Sequence, residues 1–258
     1  VCAGDTYILT TASTTNSSSV SWATSGTGSF DNAASLHPTY TPSADDIEDG
    51  SVTLTLTANG LTACGNASNT MVLTITPAPI VSAGADATIC SSDVTHTLTG
   101  TTSNSASVIW STNGTGSFTD GTTLAATYTP SADDIATGQV QLTITALGNG
   151  SCESVSDFMV LNIYPAATAN AGAATAAICQ GSAYTITGAT ATNYASLLWT
   201  ISGGTGSFDN AAALNPTFTP TSTGAITLML TATSLDEECS DASDNIVLTV
   251  TPAPTVTA

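Results

Sequence analysis

The chain has 258 residues, 19 of them acidic, with no lysine and no arginine, for a formal charge of −19. A chain without basic side chains cannot neutralise phosphates, so nucleic acid is excluded as a direct partner, and anionic membrane surfaces repel it. No apolar run approaches the ~20 residues that a helical membrane span needs. Charged residues make up only 7% of the chain. Yet threonine is about a fifth of it and alternates with Val, Ile and Leu in many short runs, the signature of β-strands with hydroxyls on the wet face.

One stretch organises the chain. Val108–Phe118 carries a tryptophan in a β-type run, turns on Gly-Thr-Gly and resumes at Ser-Phe. It recurs as Val20–Phe30 and, one residue longer, as Leu197–Phe208. Trp22, Trp110 and Trp199 lie 88 and 89 residues apart, too far for a solenoid unit and close to one immunoglobulin-type sandwich. The fold class expected is all-β: three tandem immunoglobulin-like two-sheet sandwiches, over residues 1–77, 78–165 and 166–258.

In chain order, the second repeat shows every element. Ile80–Ala83 and Ala87–Ile89 form an interrupted first strand ending at Cys90, and Thr95–Thr101 follows. Ser107–Thr112 holds Trp110, and the Asn113–Gly116 turn leads to Ser117-Phe118, its glycines expected to supply positive φ. Ala126–Thr129, Gln139–Ala146 and Asp157–Tyr164 complete the set. Between them, Pro130–Ile135 and its counterpart Pro42–Ile47 place Ser three residues before Asp, which predicts one capped helical turn. The third repeat has Thr221-Ser222-Thr223-Gly224 there and is expected only to turn. Trp22, Trp110 and Trp199 each share a face with an apolar neighbour two residues earlier, and all three are assigned to the core.

The six cysteines follow the repeat. Cys2, Cys90 and Cys179 each precede their tryptophan by 20 residues, and Cys64, Cys152 and Cys239 fall late in the same units. One early and one late cysteine per unit predicts disulfides within each repeat, Cys2–Cys64, Cys90–Cys152 and Cys179–Cys239. Each would close a loop worth ~4 kcal/mol in the chain-entropy model. The alternative, Cys64–Cys90 and Cys152–Cys179, crosses the junctions and leaves Cys2 and Cys239 unpaired. Paired cysteines in either scheme imply an oxidising compartment, hence a secreted or cell-surface protein.

Proline-rich links at Thr76–Pro79, Tyr164–Ala167 and Thr251–Pro254 are semi-stiff and favour an extended string. Pro252–Ala258 copies the start of a further repeat's first strand, and repeat 1 lacks a counterpart of Pro77–Thr88. This phase reads as a piece of a longer array, whose partners would be neighbouring repeats of the same or of identical chains.

Cys179–Ser182, Trp110–Phe118, Tyr128–Ile135 and Val52–Ala58 together resemble the PKD-like and immunoglobulin-like repeats of very large secreted surface proteins of Bacteroidota, including gliding-motility adhesins. The resemblance implies export to the cell surface and a structural or adhesive role as stalk, spacer or filament building block. The other functional reading is a module whose loops bind surface glycans or proteins, and the third repeat's distinctive Ser234–Asp244 segment is the place for it.

Chemistry beyond this has little footing. His37 and His96 have no counterpart His in the other repeats, and no nucleophile elbow or phosphate loop occurs, so no catalytic residue and no enzyme activity is assigned. The one ligand considered is calcium, on the acidic cluster Asp45, Asp46, Glu48 and Asp49. A second acidic cluster covers Asp236, Glu237, Glu238, Asp241 and Asp244.

Overall fold

The computed structural model describes residues 1–61 and 64–257. Three hydrophobic cores form in succession, drawn from residues 1–75, 81–163 and 169–250. They are the cores of three tandem immunoglobulin-like β-sandwiches.

Domain 2 shows the plan. One sheet orders Ser107–Thr112, Gln139–Leu147, Val155–Tyr164 and Ala87–Cys90, the last pair parallel. The facing layer holds Ser117–Thr119, Thr127–Thr129 and His96–Thr97, with Ile80–Ser82 pairing Thr101–Ser103 beside it. The first strand therefore starts in one layer and ends in the other, and Gly84, at φ 90°, lies where it crosses. Period-two alternation buries Val140, Leu142 and Ile144 against Met159, Leu161 and Ile163. Trp110 is buried among them. Domain 3 repeats the plan strand for strand, including the parallel pairing of Thr175–Cys179 with Ala242–Thr251 and the short pair Thr168–Asn170 with Thr190–Thr192.

Domain 1 departs from it in one place. Its sheet of Ser17–Thr24, Ser51–Gly60 and Ala67–Thr74 has only a single parallel bridge, Cys2 to Thr76, where the other domains have a strand. Among the described residues, Ser13–Thr15, the counterpart of Thr101–Ser103, pairs with no strand.

Each tryptophan begins an aromatic ladder. Trp22, Phe30 and Tyr40 follow one another at centroid spacings of 6.0 and 4.9 Å, and Trp110, Phe118 and Tyr128 at 6.5 and 5.0 Å. In domain 3, Trp199, Phe208 and Phe218 do so at 6.0 and 5.1 Å. The short helices α1 (Ala44–Asp49) and α2 (Ala132–Thr137) carry complete capping boxes, Ser43 with Asp46 and Ser131 with Asp134. Domain 3 turns there without a helix, as its sequence predicts.

Two sequence expectations change. The predicted strand Thr95–Thr101 splits into His96–Thr97 and Thr101–Ser103, which pair with different partners. The Gly-Thr-Gly glycines of domains 1 and 2 do not adopt positive φ. They are small because something occupies the space a Cβ would need: Asp46 and Tyr40 lie against Gly26 and Gly28, Asp134 and Tyr128 against Gly114 and Gly116.

Candidate functional site: the domain junctions

The cysteines pair between domains. Cys2 bonds Cys152, and Cys90 bonds Cys239, with Cα–Cα distances of 4.8 and 5.0 Å. The intradomain bridges Cys2–Cys64, Cys90–Cys152 and Cys179–Cys239 expected from the sequence are not formed, nor are Cys64–Cys90 and Cys152–Cys179. Cys64 and Cys179 are exposed thiols.

The strand layout explains the correction. Cys2 lies beside Thr76, at the exit of the last strand of domain 1, fixed by Ala3 N–H to Thr76 O at 2.8 Å. Cys64 sits in the loop before that strand, and the eight residues of Ala67–Thr74 separate the two by roughly 26 Å at ~3.3 Å per residue. A disulfide needs Cα atoms within about 7 Å. The early cysteine of each domain thus stands at its exit and the late cysteine at its entrance. The only late cysteine within reach of Cys2 belongs to the next domain.

Both junctions are built alike. Cys152 is held in a turn by its amide donating to Asn149 O at 3.1 Å, and its sulfur lies 3.4 Å from Thr76 O in the linker. Cys239 is held by Asp236 O at 3.1 Å, with its sulfur 3.7 Å from Tyr164 O. Cys90 pairs with Tyr164, and Ser91 N–H donates to Tyr164 O at 2.7 Å. All four bonded cysteines are buried. Side chains fasten the links as well: Asn104 Nδ2 donates to Ala78 O at 3.2 Å, Asn193 Nδ2 to Ala166 O at 3.0 Å, and Ala166 N–H to Ser91 Oγ at 2.8 Å. The two proline links between domains, Thr76–Pro79 and Tyr164–Ala167, are thereby doubled by a covalent bridge each.

The acidic cluster of repeat 1 does not assemble a calcium site. Asp46 is turned into the domain and 1% exposed. Its carboxylate accepts from Thr27 N at 3.0 Å, Gly28 N at 3.1 Å, Ser43 N at 3.1 Å and Tyr40 Oη at 2.6 Å. Four donors leave little lone-pair capacity for a cation. Asp45, Glu48 and Asp49 converge with it on no common point: among the described residues no three acidic, histidine or cysteine side chains are grouped to hold a metal. Burial alone would raise the Asp46 carboxyl, but the hydrogen bonds from Tyr40, Ser43, Thr27 and Gly28 outweigh it and hold the group below the usual carboxylate range. Asp134 repeats the arrangement with Thr115, Gly116, Ser131 and Tyr128. These carboxylates lock the hairpin turn to the helix cap. In the third repeat, Asp241 accepts from Ser234 N, Asp236 from Glu238 N and Asp244 from Ala171 N, all contacts that shape the fold.

His37 Nδ1 sits 2.8 Å from Leu9 O in a loop. His96 pairs across from Tyr128, where the other domains place Tyr7 and Tyr184, and burial lowers its pKa. Trp22, Trp110 and Trp199 are 8%, 4% and 2% exposed and belong to the cores. No helix among the described residues is long and apolar enough to cross a membrane.

No protein-family model and no curated protein matches the chain. Among solved structures, an I-band fragment of titin superposes with a TM-score of 0.51 at 12% identity, covering 91% of this chain and 88% of that one. Protocadherin gamma B2 extracellular cadherin domains 3–6 give 0.41 at 13% identity, with 92% of this chain and 68% of that one covered. Immunoglobulin domains 1–4 of Sidekick-1 give 0.40 at 15%, covering 97% and 73%. The likeness to the titin fragment is one of fold: a tandem chain of immunoglobulin-like sandwiches.

Proposed function

We propose that this chain is a stalk or spacer segment of an extracellular surface protein, of the adhesin kind its repeats resemble, built to span distance under tension. The observation that carries this reading is the register of the bridges. The exit cysteines of domains 1 and 2 are each bonded to the entrance cysteine of the following domain, so both hinges have two covalent connections. Such bridges persist in oxidising compartments, which supports a secreted location. The surface fits the same setting, because the chain offers no Lys or Arg to proteases that cleave after basic residues. Ser234–Asp244, where a binding loop was expected, is used for the Cys239 bridge, so the stalk reading takes precedence over the glycan- or protein-binding one. The reading is tested by stretching single chains with and without reductant. A stalk of this design extends far less when oxidised, and equal extension in both conditions would refute the design.

A further inference from the structure

Among the described residues, no strand of domain 1 takes the position that Ile80–Ser82 and Thr168–Asn170 hold in domains 2 and 3. In domains 2 and 3 the strands Ile80–Ser82 and Thr168–Asn170 lie on the core, and Ile144, Met159, Leu230 and Ile246 beneath are at most 3% exposed. Their counterparts in domain 1, Leu56 and Met71, are only half-buried. They floor an open groove of about 220 Å³ walled by Ala12, Ser13, Trp22 and Asn69. Asn69 stands where Asp157 and Asp244 accept the amides of Ala83 and Ala171, the residues that end the missing strand's counterparts.

A segment of matching sequence, residues 255–257, pairs with no strand among the described residues. Thr251-Pro-Ala-Pro-Thr-Val-Thr-Ala258 aligns with Thr76-Pro-Ala-Pro-Ile-Val-Ser-Ala83. Val256 corresponds to Val81, which packs on the domain 2 core, yet Val256 is 93% exposed.

The two thiols stand at the same two places. Cys179 pairs with Thr251, with Gln180 N–H donating to Thr251 O at 2.8 Å, as Cys2 and Cys90 are held at Thr76 and Tyr164. Cys64 is held by its amide donating to Leu61 O at 3.0 Å, the turn that holds Cys152 and Cys239. One is an exit half and the other an entrance half of the same junction.

We propose that a second copy of this chain completes domain 1. Its Thr255–Thr257 lies antiparallel to Ser13–Thr15, seating Val256 on Leu56 and Met71, while its Cys179 forms a disulfide with Cys64. In that step the two thiols lose two protons and two electrons to the disulfide of an oxidised exchange partner such as glutathione disulfide, which leaves as two thiols. The join repeats the two junctions already inside the chain and, being head to tail, propagates. It goes beyond the stalk reading, whose stretching test on single chains does not involve Cys64 or Cys179.

The test uses the 258-residue chain in a mixed glutathione buffer, read on non-reducing gels, with the crosslink mapped by chymotrypsin because the chain has no tryptic site. The unmodified chain should give a ladder and a Cys64–Cys179 peptide. Cys64→Ser and Cys179→Ser alone should stay monomeric, and their equimolar mixture should stop at a dimer. Symmetric dimers of either variant as abundant as the mixed one, or a monomeric parent chain, would overturn the proposal. Val256→Asp, at an exposed position that leaves the monomer fold intact by circular dichroism, should slow ladder formation at least tenfold. An unchanged rate would refute the strand contact.

Discussion

Tyr40 donates its hydroxyl to the buried carboxylate of Asp46 across 2.6 Å, and Tyr128 does the same to Asp134 across 2.7 Å. In domain 3 both partners are gone. Phe218 replaces the tyrosine, and Ser222 Oγ takes over one contact by accepting from Thr205 N at 2.9 Å. The two losses belong together, because a buried carboxylate without its donors, or a buried hydroxyl without its acceptor, costs more than an apolar pair. Tyr40→Phe should therefore destabilise domain 1 by about 1.5–3 kcal/mol, the value of a hydrogen bond to a charged group. Asp46→Ala, which strands three amides and a hydroxyl, should cost roughly 3–5 kcal/mol. Urea unfolding of the variants measures both.

The same carboxylates predict acid sensitivity. Asp46 and Asp134 have folded-state pKa values below the ordinary one. Their contribution is thus fully present above the usual carboxylate range and is lost as the pH falls through the depressed values. Domains 1 and 2 should lose amide-exchange protection around Thr27–Gly28 and Thr115–Gly116 on acidification below about pH 4. The Thr205 turn of domain 3, held by a hydroxyl, should keep its protection. Equal loss in all three turns would contradict this assignment.

Gly116→Ala offers a local check on the hairpin. A Cβ there would lie 2.5 Å from Thr129 O and closer still to Tyr128 Oη, so the strand and the tyrosine must both move. The expected loss is about 1–3 kcal/mol, the range for overpacking a core site. Gly65→Ala, with open space around it, should change stability by less than about 0.5 kcal/mol. Thermal melts of the two variants give the comparison.

The bridges set how far the chain can be pulled. With both intact, the shortest covalent route from Val1 to Ala258 uses residues 1–2, 90–152 and 239–258. That is about a third of the chain, or roughly 300 Å fully extended at ~3.5 Å per residue, against roughly 900 Å once reduced. Single-molecule force spectroscopy should show this threefold change. Cys152→Ser should lengthen the oxidised limit by freeing the Cys2 bridge, while all three cores stay folded.

Much of this was legible in the residues. The tryptophan spacing yields three repeats, alternation marks which strand residues face inward, and Ser-x-x-Asp marks α1 and α2. The cysteine pairing was not, because equal spacing in every repeat fits bridges within a unit and between units equally well. What decides it is that Cys2 lies beside Thr76, at the far end of a strand from Cys64, and parallel pairing of chain ends leaves no periodic trace. Asp46 misled for a related reason. A cluster of acids in sequence resembles a cation site, and only the fold reveals that one of them points inward to three amides and a phenol.

The two disulfide loops, 2–152 and 90–239, overlap between Cys90 and Cys152. Breaking any one peptide bond between Cys2 and Cys239 therefore leaves both fragments attached through a surviving loop. A protease that nicks an exposed turn of such a molecule would scar it without severing it, and parting the ends would take a cut in each of the three intervals 2–90, 90–152 and 152–239, or a nick followed by a reductant.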